Sequence, residues 1–219
     1  MKKAVILLSG GLDSATALYY AKAGGYKTHC LIFDYGQKHK KEIEQAKKIA
    51  KISGSQYSVI KFQLPWKGSS LTDKTKKIPS HKLNEIGRLG ILPSTYVPAR
   101  NTIFLSFGLS LAETIKARAI FIGANALDFS GYPDCRPKYF SAWSNLIKSL
   151  GLRSSKIKIA APLIAKTKSE IVKLGLKLKV PYSLTWSCYA GGKKPCGNCD
   201  SCKLREKGFS ELKLNDPSN

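Results

Sequence analysis

The apolar run Ala4-Val5-Ile6-Leu7-Leu8 ends abruptly in Ser9-Gly10-Gly11-Leu12-Asp13-Ser14, and this junction constrains the chain more than any other stretch. A short apolar run stopped by a glycine pair reads as a buried parallel strand entering a tight turn. Ala15, Leu18, Ala21 and Ala23 then give the following residues a helical apolar face. Strand, turn and helix in that order leave backbone N–H groups unpaired at a helix N-terminus, where the dipole adds partial positive charge. Two glycines let a bulky anion approach that backbone, so the turn is built as a phosphate cradle. A well-capped strand-to-helix connection is the plainer reading of the same residues. The turn has neither the Gly-Lys-Ser/Thr of a Walker loop nor a G-x-G-x-x-G.

Gly24-Gly25 closes the first helix, and residues 27–33 read as a second strand, which makes a right-handed β-α-β unit. The expected fold class is therefore α/β: a doubly wound parallel sheet with helices on both faces and ligands at the carboxyl ends of the strands. Asp34-Tyr35-Gly36-Gln37-Lys38-His39 lies at that end, beside the cradle, where the adenine and ribose of a nucleotide would fall. His39 has the position of a site residue, although a loop histidine is more often plain surface. Residues 40–53 read as an amphipathic helix and 56–62 as a third strand.

Periodicity then fades over 63–98, where Pro, Ser, Gly and Lys accumulate. This is an irregular insertion with a short helix near 83–89, and its length is that of a lid or of a disordered loop. An apolar helix over 102–116 follows Arg100, a cation that opposes the helix dipole unless an anion lies between them. After a fourth strand at 119–123, the loop 124–137 gathers Asn125, Asp128, Ser130, Tyr132, Asp134 and Arg136, a polar rim that a mere connection does not need. A helix over 138–150 and a strand over 156–160 come next. Thr167-x-x-Glu170 is a capping box opening a helix over 168–178, with Lys168 as a second cation at a helix start.

At 219 residues and 43% hydrophobic content, one sizeable core with an appendage is the expected organisation. We place the α/β domain at 1–185 and the appendage at 186–219. No segment reads as a signal peptide or a membrane span, so a soluble cytosolic protein without membrane partners is expected. The formal charge of +23 would suit nucleic acid. The lysines are spread over solvated faces without interleaved aromatics, however, and the same field draws in small anions such as ATP. Four of the six cysteines, Cys188, Cys196, Cys199 and Cys202, crowd near the C-terminus. Four thiolates so spaced can close a tetrahedral shell around one Zn²⁺ per chain, a structural rather than catalytic site. An iron–sulfur cluster uses the same ligand set.

The hexapeptide Ser9–Ser14 resembles the PP-loop of ATP pyrophosphatases, which split ATP between its α and β phosphates. With Phe33-Asp34-Tyr35-Gly36-Gln37, Val97–Asn101, Ser130-Gly-Tyr-Pro-Asp-Cys-Arg-Pro137, Thr167–Ile171, Leu184-Thr-Trp-Ser-Cys188 and Pro195–Cys202, the chain resembles the 7-cyano-7-deazaguanine synthase family nearly end to end. Lys138 stands where that pattern leads one to expect an acid, and Lys179 where it leads one to expect glycine.

The resemblance implies an ATP-dependent carbon–nitrogen ligase, a homodimer with bound zinc. It would join 7-carboxy-7-deazaguanine to ammonia at the expense of Mg²⁺-ATP, and no nucleic acid is required. It places ATP on Leu8, Ser9, Gly10, Gly11, Leu12, Asp13, Ser14, Ala15, Thr16, Ala17 and Leu18, with Phe33 and Tyr35 beside them. Asp13, Arg100 and Lys168 serve the phosphates and their metal. Asp128 or Asp134 and Arg136 are the complementary partners for the deazaguanine and its carboxylate. A tRNA-modifying PP-loop enzyme of the thiolation or lysidine type is the alternative, and a zinc knuckle binding nucleic acid without catalysis is a further one.

Overall fold

A computed structural model describes residues 1–87, 92–126, 131–151 and 156–218. Five parallel strands, β1 (Lys3–Leu7), β2 (Lys27–Asp34), β3 (Gln56–Lys61), β4 (Ala119–Ile122) and β5 (Lys158–Ala160), form one sheet in the order β3-β2-β1-β4-β5. Alternate residues of β1 point to opposite faces and both are covered, which is why the strand is apolar from Ala4 onward. Ala4 and Ile6 enter one core with α1 (Leu12–Ala23), α2 (Lys41–Ile52) and α5 (Lys168–Lys177). Val5 and Leu7 enter the other with α3 (Arg100–Thr114) and α4 (Pro137–Ser149). The doubly wound α/β sheet is thus as the sequence led us to expect.

The chain runs from β1 outward to β2 and β3, then returns to place β4 on the other side of β1. Between β1 and β4 the two halves diverge, and a crevice opens at their carboxyl ends. Gly123 follows β4 there. A Cβ on it would lie 2.7 Å from the backbone of Asp13 and Ser14, so only glycine lets β4 end against the start of α1.

Two regions depart from expectation. The tail after the cysteines contains a helix, α6 (Asp200–Ser210), whose Phe209 is buried in the same core as α5. Its polar residues disguised it: Arg205 is buried because Asp216 from the tail accepts from its Nε (2.6 Å) and Nη2 (2.9 Å).

The insertion is irregular, as read, but it is docked. Leu71 O accepts from Lys38 N (2.9 Å), Ser80 Oγ donates to Asn198 O (2.8 Å), and Asp200 accepts from His81 N (2.8 Å). In place of the short helix there are turns up to residue 87, with Glu85 N and Ile86 N both donating to Lys82 O. Residues 88–91 lie outside the described residues. Among the described residues no helix is long and apolar enough to cross a membrane.

Candidate active site

The β1–α1 turn is built by its glycines. Gly10 has φ +85°, and a Cβ there would stand 2.2 Å from Glu42 O, so the turn packs directly on the start of α2. Gly11 is the N-cap of α1 and offers no side-chain cap, while Ser14 Oγ donates to its carbonyl (3.1 Å). The first-turn donors of α1 are left to an incoming acceptor, as a phosphate cradle requires.

The turn opens into a cavity of about 240 Å³ at the β1/β4 crevice. Leu8, Ser9, Gly11, Leu12, Asp13 and Ser14 line it. Gly10 supports the turn from behind. Ala15, Thr16, Ala17 and Leu18 run away from the cavity into the core, where Thr16 Oγ1 is 2.9 Å from Tyr182 Oη.

Phe33 and Tyr35 reach the cavity from the end of β2 and are backed by Phe104 of α3, whose ring stacks on Phe33 at 3.9 Å. Arg100, the first residue of α3, also lines it and donates from Nη1 to Tyr35 Oη (3.1 Å). Its Nε is buried without a hydrogen-bond partner among the described residues, a donor that an anionic ligand would satisfy. Burial works against the guanidinium charge, yet the nearby Tyr35, Tyr132 and Asp134 push its pKa upward. Part of the anion expected at this helix start belongs to the protein, because Asp134 Oδ2 accepts from Asn101 N (3.2 Å). Asp134 therefore lies beneath the cavity floor as a helix cap, and burial raises its pKa.

Lys168, at the first position of α5, crosses to the cradle and donates to both Asp13 oxygens at 2.8 Å. Its alkyl chain passes over Gly208 of α6, where a Cβ would stand 2.4 Å from Lys168 Cγ. Arg136 is not brought to this cavity. It is exposed, held extended at the N-cap of α4 by the following Pro137. Asp128 lies outside the described residues.

The segment between the short helical turn Tyr182–Leu184 and α6 closes the cavity. Trp186 N donates to Gly10 O (2.9 Å), tying this segment to the cradle, and Trp186, Ser187 and Tyr189 form the facing wall. Behind it, the sulfurs of Cys188, Cys196, Cys199 and Cys202 lie within 4.8 Å of one another and could hold a metal ion. Backbone N–H groups support the shell: Cys196 N donates to Cys188 Sγ (3.4 Å) and Cys199 N to Cys196 Sγ (3.3 Å). Burial pushes the thiols of the other two cysteines, Cys30 and Cys135, each up to about 12, away from the thiolate form.

Sequence reasoning missed Glu42, which lines the cavity from the first turn of α2. Burial raises its pKa to about 7 against the opposing pull of Arg100 and Gln37. It also missed Phe104 and Trp186 as walls. Only the spacing of Trp186 from the cysteines could have signalled the latter.

Residues 3–213 match the family model described as "Queuosine biosynthesis protein QueC". The chain is 54% identical over 222 residues to a 7-cyano-7-deazaguanine synthase of Trichodesmium erythraeum, covering 98% of this chain and 99% of that one. It is 56% identical over 214 residues to a protein of the same name from Picrophilus torridus, covering 96% and 88%. Among solved structures, an NMN synthetase from Francisella tularensis shares the fold with a TM-score of 0.51 and 15% identity, over 98% of this chain and 78% of that one.

Proposed function

This chain belongs to the queuosine biosynthesis protein QueC family, and from that premise we propose that it converts 7-carboxy-7-deazaguanine and ammonia to 7-cyano-7-deazaguanine at the expense of ATP. The observation that carries the reading is the cavity at the β1/β4 crevice, where an uncapped glycine turn, an arginine with an unpartnered Nε and a lysine meet.

A carboxylate is a poor electrophile because its oxygen will not leave. Transfer of the α-phosphoryl group of ATP onto that oxygen releases pyrophosphate and gives an acyl-adenylate. Ammonia attacks the acyl carbon, its nitrogen loses one proton, and AMP departs to leave the amide. A second ATP adenylates the amide oxygen with loss of one N–H proton. Loss of AMP and the second N–H proton then forms the nitrile. No protein nucleophile is needed; aligned reactants and a fixed positive field are.

In this scheme the N–H groups of Leu12, Asp13 and Ser14 receive phosphate, while Phe33 and Tyr35 flank the nucleotide. Arg100 turns its Nε to the phosphates, and Lys168 neutralises the leaving pyrophosphate. Asp13 would hold Mg²⁺, which shields the phosphate charge. For the deazaguanine, Asp128 is the partner we retain by hydrogen-bond complementarity; Asp134 is spent on the start of α3 and Arg136 stands outside the cavity.

The cysteine shell fits zinc. A tetrahedral ion with arms of about 2.3 Å needs sulfur–sulfur edges of about 3.8 Å, and Cys196 Sγ lies 4.0 Å from Cys202 Sγ. A cluster that spreads its thiolates over several irons needs a wider shell. Zinc there would supply structure, fixing the wall that carries Trp186 and Tyr189. A homodimer in the cytoplasm completes the reading.

The test is incubation of the purified protein with Mg²⁺-ATP, ammonium and 7-carboxy-7-deazaguanine, followed by mass spectrometry. The expected products are the nitrile, AMP and pyrophosphate. A folded, zinc-replete sample that turns over none of these overturns the reading, and turnover with tRNA instead would establish the tRNA-modifying alternative.

A further inference from the structure

Resting on that reading, we propose that Glu42 is the proton acceptor for the nitrogen substrate, binding ammonium through its carboxylate and releasing it as ammonia beside the acyl carbon. Two carboxylates line the cavity among the described residues, Asp13 and Glu42. Asp13 is engaged otherwise: both its oxygens accept from Lys168, and in the proposed reaction they would hold Mg²⁺. Glu42 Oε1 accepts from Gln37 Nε2 (3.1 Å), and Oε2 has no hydrogen-bond partner among the described residues.

Gln37 holds Glu42 in place. Its Nε2 also donates to Phe33 O (3.1 Å), and its Oε1 accepts from Tyr35 N (2.9 Å), so its amide orientation is fixed. The backbone of Glu42 abuts Gly10, and its side chain lines the same cavity as the cradle. Arg100, Tyr35 and His39 face the same space, as do Asp13, Lys168 and Tyr189 across it.

The chemistry asks for such a group. Ammonium has no lone pair; one N–H bond must break, its electrons staying on nitrogen and its proton passing to a Glu42 oxygen, before the N–C bond can form. Amide formation, amide activation and nitrile formation each release another proton from the same nitrogen. One carboxylate beside that nitrogen can accept all of these in turn, returning each to water between steps. Its pKa of about 7 lets it both take and release a proton at neutral pH.

Hydroxylamine provides the test because it is already unprotonated at neutral pH and needs no acceptor to attack. With ammonium, Glu42→Gln should lose about a hundredfold in kcat, while hydroxamate formation and carboxylate-dependent ATP–pyrophosphate exchange stay within about threefold of wild type. Glu42→Asp should recover part of the ammonium activity. It also carries the same comparison if Glu42→Gln does not fold. Equal losses with ammonium and hydroxylamine, or loss of the exchange reaction, overturn the proposal. Absence of exchange in the wild-type protein instead overturns the synthase reading, and this proposal with it.

Discussion

Glu42 sets function against stability at a single residue. Its carboxyl rises from an ordinary 4.5 to about 7 on folding, with burial as the largest cause. The folded state therefore holds a proton that the unfolded state has released between those values, so this group's contribution to stability falls as pH rises from 4.5 to about 7 and is level above it. Gln has no such dependence. The melting temperature of Glu42→Gln relative to wild type, measured without ligands, should climb across that window and then hold. A difference that is flat with pH would show that the carboxyl is not raised.

Nothing in the sequence marked this residue. An acid in the first turn of an amphipathic helix complements the dipole, and Glu44 beside it does just that at the exposed surface. Ser9–Ser14 and the four cysteines were legible because glycine and thiol chemistry act over a few neighbouring residues. The Lys168–Asp13 pair spans 155 positions, and only the fold brings it together. Arg136 had the right charge for a substrate carboxylate, but its backbone before Pro137 leaves it outside the cavity.

Helix ends are where an element shows its sequence cost most directly. The end of α5 is a left-handed cap: Lys179 has φ +60°, Lys179 N donates to Leu176 O (3.0 Å) and Val180 N to Gly175 O (2.9 Å). A lysine there bears the strain that glycine would avoid, at the position where the family resemblance leads one to expect glycine. Lys179→Gly should stabilise the protein by about 1 kcal/mol, less the extra chain entropy of glycine, with synthase activity unchanged. Chemical denaturation checks this, and a destabilised variant would show that the lysine makes compensating contacts. The strands and most helices were legible to within a residue or two because their apolar periods are clean. Helix α6 was not, since its buried face includes Asp200 and Arg205, whose partners are His81 of the insertion and Asp216 of the irregular tail beyond the helix.

For the whole molecule, the cysteine shell is a joint rather than an appendage. It meets the cradle through Trp186 and Gly10, and it meets the insertion through Asn198–Ser80 and Asp200–His81. Metal removal by a chelator should therefore loosen three regions at once. Hydrogen exchange should quicken over 78–82, at the cradle and over 186–202, nucleotide affinity should fall, and the sheet should stay protected. Faster exchange confined to 188–202 would show that the joint transmits nothing.

The order in which the chain leaves the ribosome gives this closure a further meaning. The cradle is made before β2–β5, and the wall facing it after them. A nascent or truncated chain can thus form the cradle but not the enclosed cavity. In the proposed reaction, ATP use in an open crevice is thereby withheld until the facing wall has been made.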